Sequence, residues 1–106
     1  MHIGIMITAA PGSASLFTAE RLIRAALARQ WNISLFFMDN GVQAMNRFLP
    51  LLTDGQPSGS ENRLQCIVCA HNCEERGIQI SSEIKAGSQA DWARIVNEAE
   101  RVMVFG

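Results

Sequence analysis

Short continuous runs of apolar residues recur along the chain, and segments with apolar residues at every third or fourth position separate them. The runs His2–Thr8 and Ile33–Met38 lack the polar alternation of a half-exposed strand, which is typical of parallel strands buried on both faces. The run Arg101–Phe105 predicts a last strand. These strands are therefore expected to lie in a sheet whose two faces are both covered.

The clearest predicted helix spans Ser15–Gln30, because its apolar positions form a wide stripe at helical spacing. The stripe consists of Leu16, Ala19, Leu22, Ile23, Ala26 and Leu27. A second helix is predicted after Ser88. The segment Ser88–Asp91 has the form of a capping box, and apolar residues at helical spacing follow it. The segment Val42–Phe48 predicts a short helix that follows the second strand.

The stretch Leu64–Ile78, LQCIVCAHNCEERGI, changes abruptly from one pattern to another. It begins as an apolar strand and continues as a short helical segment over Ala70–Arg76, which Gly77 is expected to end by turning left-handed. A strand that runs directly into a helix places its junction residue, Cys69, at the carboxyl edge of the sheet. Ligands and reactive groups sit at that edge in open α/β folds, so candidate chemistry is concentrated here.

Two further segments complete the predicted order of elements. Alternating apolar residues over Ile78–Ile84 predict another strand, and the Pro-, Gly- and Ser-rich segment Pro50–Asn62 predicts an exposed loop. Strands that alternate with helices indicate an α/β fold with a parallel sheet. We expect a single domain over residues 1–106, with a mainly parallel five-stranded sheet and helices on both of its faces.

Composition and charge narrow the classes of function. The chain has 106 residues, of which 48% are hydrophobic, and its formal net charge is −1. It is therefore neither disordered nor built around a basic nucleic-acid stripe. No membrane span is expected, and the apolar start lacks the positive residues of a signal peptide, so a cytoplasmic location is predicted. A net charge close to zero is also compatible with self-association.

All three cysteines, Cys66, Cys69 and Cys73, fall within eight residues together with His71. An odd number of cysteines in a cytoplasmic protein argues against a structural disulfide framework. One interpretation of the cluster is a nucleophilic or sulfur-carrying Cys69, whose thiolate the free backbone N–H groups at the start of the helix would stabilise. In this interpretation His71 and Arg76 could add positive charge or a proton relay.

Three other interpretations of the cluster stay open. Cys66 and Cys69 have the spacing of a redox dithiol, but residues three apart on a strand point to opposite faces, and Cys73 is a better partner for Cys69. The three thiols and His71 could hold zinc or iron–sulfur, although their crowding onto one strand and one helical turn argues against a metal. Free cysteine also packs in cores, which is the preferred interpretation of Cys66, and His71 is expected on the helix surface.

Three stretches carry a resemblance to a known family. Cys69 followed by the run Arg76–Ile78, the segment Leu35–Val42 with its Gly-Val turn, and the closing segment Ala99–Gly106 resemble the DsrE/TusD-like (DsrE/DsrF-like) sulfur-relay proteins. The resemblance implies an α/β sheet fold, oligomers built as trimers or hexamers, and a persulfide-carrying cysteine at the end of a strand. Cys69 is the residue that matches this cysteine.

The resemblance therefore implies a cytosolic sulfur carrier that accepts sulfane sulfur as a persulfide on Cys69 and passes it to a partner. Cys73 is a candidate resolving thiol, and His71 and Arg76 are candidate supporting residues. Sulfur-donor and sulfur-acceptor proteins are the implied partners, within a homo-oligomer or hetero-oligomer, and no cofactor, metal, nucleic acid or membrane is expected. The alternatives are a non-catalytic subunit of an oligomer with this fold, and a small Cys/His metal-binding module.

Overall fold

A computed structural model describes residues 1–53 and 63–106 of the chain. Its strands are β1 (His2–Ile7), β2 (Asn32–Phe37), β3 (Leu64–Cys69), β4 (Lys85–Gly87) and β5 (Arg101–Phe105). They form one sheet in the order β4-β3-β2-β1-β5, and every neighbouring pair is parallel. The predicted α/β class with a five-stranded parallel sheet is therefore confirmed.

Helical segments connect the strands. They are α1 (Ala14–Ala28), a 3₁₀ helix (Asp39–Phe48), α2 (Leu49–Thr53), α3 (Ala70–Glu75) and α4 (Gln89–Glu98). Within the described ranges, none of these helices has the length and apolar content that a bilayer span requires. The short helix predicted over Val42–Phe48 exists, but it begins three residues earlier and has 3₁₀ rather than α geometry.

Both faces of the sheet are covered, as the unbroken apolar runs predict. On one face, a side chain at position Gly4 would meet Ile95 and Ala99, so α4 packs directly against β1 there. The neighbouring residues Ile3 and Ile5 point to the other face, and they are 2% and 1% exposed. The sheet is therefore the middle layer of the hydrophobic core.

The prediction of a strand over Ile78–Ile84 is wrong, because the fourth strand is the three-residue β4, Lys85–Gly87. The predicted segment is irregular and ends in a turn in which the backbone N–H of Ile84 donates to the carbonyl oxygen of Ser81 at 3.1 Å. The isoleucines of this segment pack against the core without forming a strand, which explains the apolar pattern. Ile84 is 4% exposed. As a largely exposed edge strand, β4 shows no apolar pattern that the sequence could reveal.

The prediction of a loop over Pro50–Asn62 is wrong for its first residues, since helix α2 extends over Leu49–Thr53. Proline is tolerated there because it stands in the first turn, where its missing N–H has no helical partner to lose. Leu51 explains the helix, because it is 3% exposed and belongs to the core. The rest of the predicted loop, residues 54–62, lies outside the described residues.

The capping box predicted at the start of α4 is confirmed. The Ser88 hydroxyl accepts from the backbone N–H of Ala90 at 3.3 Å, and the Asp91 carboxylate accepts from the backbone N–H of Ser88 at 2.9 Å. Lys85 donates to the same carboxylate at 3.1 Å and thereby links β4 to α4. The backbone hydrogen bond from Ser88, followed by the bond from Lys85, lowers the pKa of Asp91 below its ordinary value.

Replacing Asp91 with asparagine is expected to lower the free energy of unfolding by about 1 kcal/mol near neutral pH. Because the folded pKa is depressed, this stabilisation is present above the unfolded pKa and is lost as the pH falls through the folded pKa. Urea unfolding near neutral pH and at about pH 2 measures the effect. The difference between parent and Asp91→Asn should shrink in acid, whereas a difference that does not change with pH would contradict the capping role.

Candidate functional site

The junction between β3 and α3 has the form that the sequence predicts. Cys69 is the last residue of β3 and the N-terminal capping residue of α3, with φ −66° and ψ 108°. Gly77 follows the helix with φ 64°, in the left-handed region, and the N–H of Ile78 closes the turn on the carbonyl oxygen of Cys73 at 2.9 Å. The junction therefore places Cys69 at the carboxyl edge of the parallel sheet.

A cleft of about 540 Å³ opens at this edge of the sheet. Its walls come from the ends of β2, β3 and β4 and the starts of α3 and α4. The lining residues are Met38, Cys69, Ala70, His71, Asn72, Gly87, Ser88 and Gln89. Cys69 is 7% exposed and forms part of the lining of this cleft.

Two side-chain contacts join the walls of the cleft. The amide Nε2 of Gln89 donates to the Met38 sulfur at 3.2 Å, which connects α4 to the end of β2. The amide oxygen of Asn72 accepts from the backbone N–H of Asp39 at 2.9 Å, which connects α3 to the same corner. Asp39 has φ 53°, a left-handed conformation that costs a residue with a side chain about 1 kcal/mol, so the hydrogen bond that its N–H donates to Asn72 also offsets this strain.

These wall residues are the part of the site that the sequence interpretation did not find. Met38 and Gln89 stand 51 positions apart, and neither belongs to the cysteine cluster. A usable signal was nevertheless present, because residues that follow parallel strands meet at one edge of a sheet. Met38 directly follows the second predicted strand, and Asn72 lies in the segment after Cys69.

Cys73 lies close to Cys69 but faces the core. It is 1% exposed, whereas Cys69 lines the cleft. Burial raises the pKa of the Cys73 thiol, the negative charge of a Cys69 thiolate adds to this effect, and Arg76 opposes it. The two thiols are therefore near enough to interact electrostatically, while solvent reaches Cys73 poorly. Its role as a resolving thiol stays a prediction.

His71 and Arg76 occupy different positions relative to the cleft. The His71 side chain is 77% exposed, lines the cleft, and has its Nε2 atom 3.7 Å from a carboxylate oxygen of Glu75. Arg76 is not a lining residue of this cleft, and its guanidinium folds back on α3 towards Glu75 at 3.8 Å and the Asn72 carbonyl at 3.5 Å. His71 is thus on the helix surface, as expected, and the supporting roles of both residues stay predictions.

Cys66 lies inside the sheet, opposite Leu35 of β2 in the parallel register. It is 3% exposed, and burial raises the pKa of its thiol from 9.0 to about 12. A thiol that keeps its proton at neutral pH is a poor nucleophile. This environment agrees with the prediction that Cys66 is a packing residue.

The free energy of unfolding is expected to fall above about pH 9, because burial raises the pKa of Cys66 and, in the same direction, that of Cys73. The folded pKa of Cys66, about 12, is above the unfolded value, so the unfolded chain loses this proton first as the pH rises. Stability should therefore decrease by roughly 1.4 kcal/mol per pH unit between about pH 9 and 12. Urea unfolding of the parent and of Cys66→Ala across this range tests the effect. A variant with the same slope as the parent would show that another group causes the loss.

The cysteine cluster does not form a metal-ligand arrangement in the described part of the chain. Over residues 1–53 and 63–106, no group of three or more His, Cys, Asp or Glu side chains is placed to hold a metal ion. The three thiols do not converge on one point, because Cys66 and Cys73 face the core while Cys69 faces the cleft. That the purified protein carries no metal stays a prediction, which elemental analysis can test.

Comparison with known proteins supports the resemblance that the sequence carries. The model of the DsrE/DsrF-like family matches residues 1–105. The crystal structure of the ychN protein from E. coli is similar over 99% of both chains, with a TM-score of 0.74 and 24% sequence identity, a level that shows a shared fold. No curated protein matches the chain significantly in sequence.

Proposed function

This chain belongs to the DsrE/DsrF-like family, which is associated with sulfur relay, and we propose that it is a sulfur carrier whose Cys69 holds sulfane sulfur as a persulfide. The observation that carries the proposal is the placement of Cys69 at the carboxyl edge of the sheet and in the wall of the cleft. Cys66 and Cys73 do not line this cleft. Of the three thiols, Cys69 is therefore the one that a sulfur donor can approach through it.

The surroundings of Cys69 protect a persulfide better than the surroundings of an exposed thiol would. A persulfide is lost when a second thiol attacks it, so a carrier benefits from shielding its sulfur until a partner arrives. The 7% exposure of Cys69 supplies such shielding, while the cleft leaves room for the added sulfur atom. In the proposed cycle Cys69 takes sulfur from a donor and then presents the persulfide to an acceptor thiol.

The assembly and location of the carrier belong to the same proposal. We propose a cytoplasmic protein that works with sulfur-donor and sulfur-acceptor partners within a homo-oligomer or hetero-oligomer. Exposed apolar side chains on α4 and β5, namely Val96, Val102 and Val104, support an oligomer, because such a surface is usually covered in a stable assembly.

The experiment that tests the carrier function follows sulfur through one complete transfer. The protein is incubated with a persulfide donor, freed of excess donor, and weighed intact with and without reductant. We expect a mass gain of one sulfur atom per chain that reductant removes, and we expect an added acceptor thiol to remove it as well. A protein that gains no sulfur would favour the alternative of a non-catalytic subunit in an oligomer.

A further inference from the structure

We propose that the side-chain amide of Gln89 holds the sulfur that Cys69 carries, by donating a hydrogen bond to the outer sulfur of the persulfide anion, and that Met38 orients this amide. The inference rests on the carrier function and deepens it, because it names a residue that binds the transferred sulfur. The position of Cys69 on the sheet, the contact between Gln89 and Met38, and the chemistry of the cleft lining support it.

Cys69 lies on the face of the sheet that the first turn of α4 covers. It pairs with Gly87 in the parallel register of β3 and β4. A side chain at Gly87 would overlap the carboxylate of Asp91 in α4 and lie 2.6 Å from Cγ2 of Ile67. Ile67 and Cys69 are two positions apart on β3, so their side chains are on the same face. Helix α4, which begins at Gln89, is therefore on the same side of the sheet as the Cys69 sulfur.

The Gln89 amide lies against the lining of the cleft. Its Nε2 atom donates to the sulfur of Met38 at 3.2 Å, and both residues line the cleft together with Cys69. An amide nitrogen carries two hydrogens, and a thioether is a weak acceptor. The second hydrogen is therefore left for another acceptor in the cleft.

The other polar side chains of the lining contact neighbours outside it. Nδ2 of Asn72 donates to a carboxylate oxygen of Glu75 at 3.0 Å, and Nε2 of His71 is 3.7 Å from the other oxygen of that carboxylate. The Ser88 hydroxyl caps the first turn of α4. Among the lining side chains, Gln89 is therefore the best-placed donor for the carried sulfur.

The cleft supplies no fixed charge for an anion. Over residues 1–53 and 63–106, its lining includes no Asp, Glu, Lys or Arg. The ammonium of Lys85 is 3.1 Å from the Asp91 carboxylate, and the guanidinium of Arg76 is 3.8 Å from that of Glu75, so these two cations are already paired. A persulfide anion in the cleft therefore needs neutral hydrogen-bond donors to replace the water that it loses.

The proposed contact belongs to the persulfide and not to the resting thiol. Cys69 caps α3 without a side-chain hydrogen bond to that helix, and in the described part of the chain no hydrogen bond joins its sulfur to the Gln89 amide. The added sulfur extends the side chain by a bond of about 2 Å. It brings a negatively charged atom into the cleft, where the amide can donate to it.

Loading and unloading are balanced thiolate exchanges. The Cys69 thiolate attacks the outer sulfur of a persulfide R–S–SH on the donor protein, the bond within the donor breaks, and the thiolate R–S⁻ leaves. The new persulfide releases its proton to water and becomes the anion that Gln89 binds. An acceptor thiolate attacks the outer sulfur once that proton returns, because two negative charges repel each other, and Cys69 leaves as a thiolate. The hydrogen bond therefore slows the loss of the carried sulfur.

Gln89→Met tests the proposal, because it removes the amide and keeps an unbranched side chain of similar length. Parent and variant are loaded with sodium polysulfide, freed of excess reagent and mixed at neutral pH with 2-mercaptoethanol as the acceptor. Intact mass follows the loss of the sulfur atom with time. We expect the sulfur to leave Gln89→Met on the order of tenfold faster, which is the factor that a hydrogen bond to a charged group represents.

Two variants separate the donor from other effects of substitution. Gln65→Met makes the same change at an exposed position of β3, about 13 Å from Cys69 along the strand, and should keep the parent rate. Gln89→Lys places an ammonium donor on the cleft wall and should hold the sulfur at least as long as the parent. If Gln89→Lys loses sulfur as fast as Gln89→Met, the side-chain donor is not the cause and the proposal is overturned.

Met38→Leu tests the orienting role of Met38, because it keeps the side-chain volume and removes the sulfur that accepts from the amide. Sulfur should leave this variant severalfold faster than it leaves the parent. The double variant with Gln89→Met should match Gln89→Met alone, since both changes act through one amide. Effects that add in the double variant would overturn the orienting role.

The resting thiol gives a readout that distinguishes binding of the sulfur from a structural role. Alkylation of unloaded Cys69 by iodoacetamide should keep the parent rate in Gln89→Met, because the amide does not contact the thiol. Equal acceleration of alkylation and of sulfur loss, or a Gln89→Met variant that keeps its sulfur as long as the parent, would overturn this inference and leave the carrier function standing. A parent that gains no sulfur would overturn the carrier function and this inference with it.

Discussion

Replacing Cys69 with serine is expected to abolish the reductant-sensitive gain of one sulfur atom. The reason is geometric, because Cys69 lines the cleft while Cys66 and Cys73 are 3% and 1% exposed and face the core. A hydroxyl at this position cannot form a sulfur–sulfur bond, and the change in volume is small. Intact mass spectrometry after incubation with a persulfide donor measures the loss.

The matched controls are Cys66→Ser and Cys73→Ser, which remove the other two thiols one at a time. Both should load about as much sulfur as the parent, because both thiols are buried and neither lines the cleft. Circular dichroism shows whether each variant keeps its fold, since a hydroxyl buried without a partner costs about 1–3 kcal/mol. The comparison is therefore made among folded variants.

The outcomes separate the possible roles of the three thiols. Loading that survives in Cys69→Ser but disappears in Cys73→Ser would move the carrier role to Cys73. A persulfide that forms normally in Cys73→Ser but persists longer than in the parent would assign Cys73 as a resolving thiol. In that role its thiolate displaces hydrosulfide from the Cys69 persulfide and leaves a disulfide between the two cysteines.

Replacing Gly41 with alanine is expected to destabilise the fold by about 3 kcal/mol. A methyl group at this position would overlap the carbonyl oxygen of Ile7 and lie 2.7 Å from its carbonyl carbon, at the carboxyl end of β1. The obstacle is backbone, which cannot rotate away as a flexible side chain could. The backbone N–H of Gly41 also donates to the Met38 carbonyl at 2.9 Å, so any shift moves a wall of the cleft.

Gly12→Ala is the matched control for this substitution. Gly12 has φ 84°, so alanine is strained there, yet within residues 1–53 and 63–106 no atom beyond the two chain neighbours lies within 4 Å of the added methyl group. Its expected cost is the backbone preference alone, about 1–2 kcal/mol. Urea unfolding of both variants measures the difference. A loss for Gly41→Ala that is no larger than the loss for Gly12→Ala would show that the 3₁₀ helix can move aside without penalty.

The elements that the sequence predicts correctly are those whose signals are local and strong. Helix α1 has an apolar stripe, α4 has a capping box, and Gly77 ends α3 in a left-handed conformation. Each signal acts within a few residues, so no tertiary contact is needed to read it. The buried strands β1, β2 and β3 are also evident, because a strand covered on both faces must be apolar throughout.

The elements that the sequence predicts wrongly are those in which tertiary packing overrides the local pattern. The isoleucines of Ile78–Ile84 look like one face of a strand, but they pack onto the core from an irregular segment. Strand β4, with the sequence Lys-Ala-Gly, is short and has no large apolar side chain, and its pairing with β3 alone makes it a strand. Helix α2 extends into the segment that proline and glycine marked as a loop, because burial of Leu51 outweighs the local preference.

The sequence by itself determined that the chain is an α/β protein and that Cys69 joins a strand to a helix at the reactive edge of the sheet. Only the tertiary structure decided which thiol faces a cleft and which residues form its walls. The parallel register brings Met38 to Gln89 across 51 positions, and Asp39 to Asn72 across 33. No periodicity within the sequence encodes these distances, because they follow from the packing of whole strands and helices against one another.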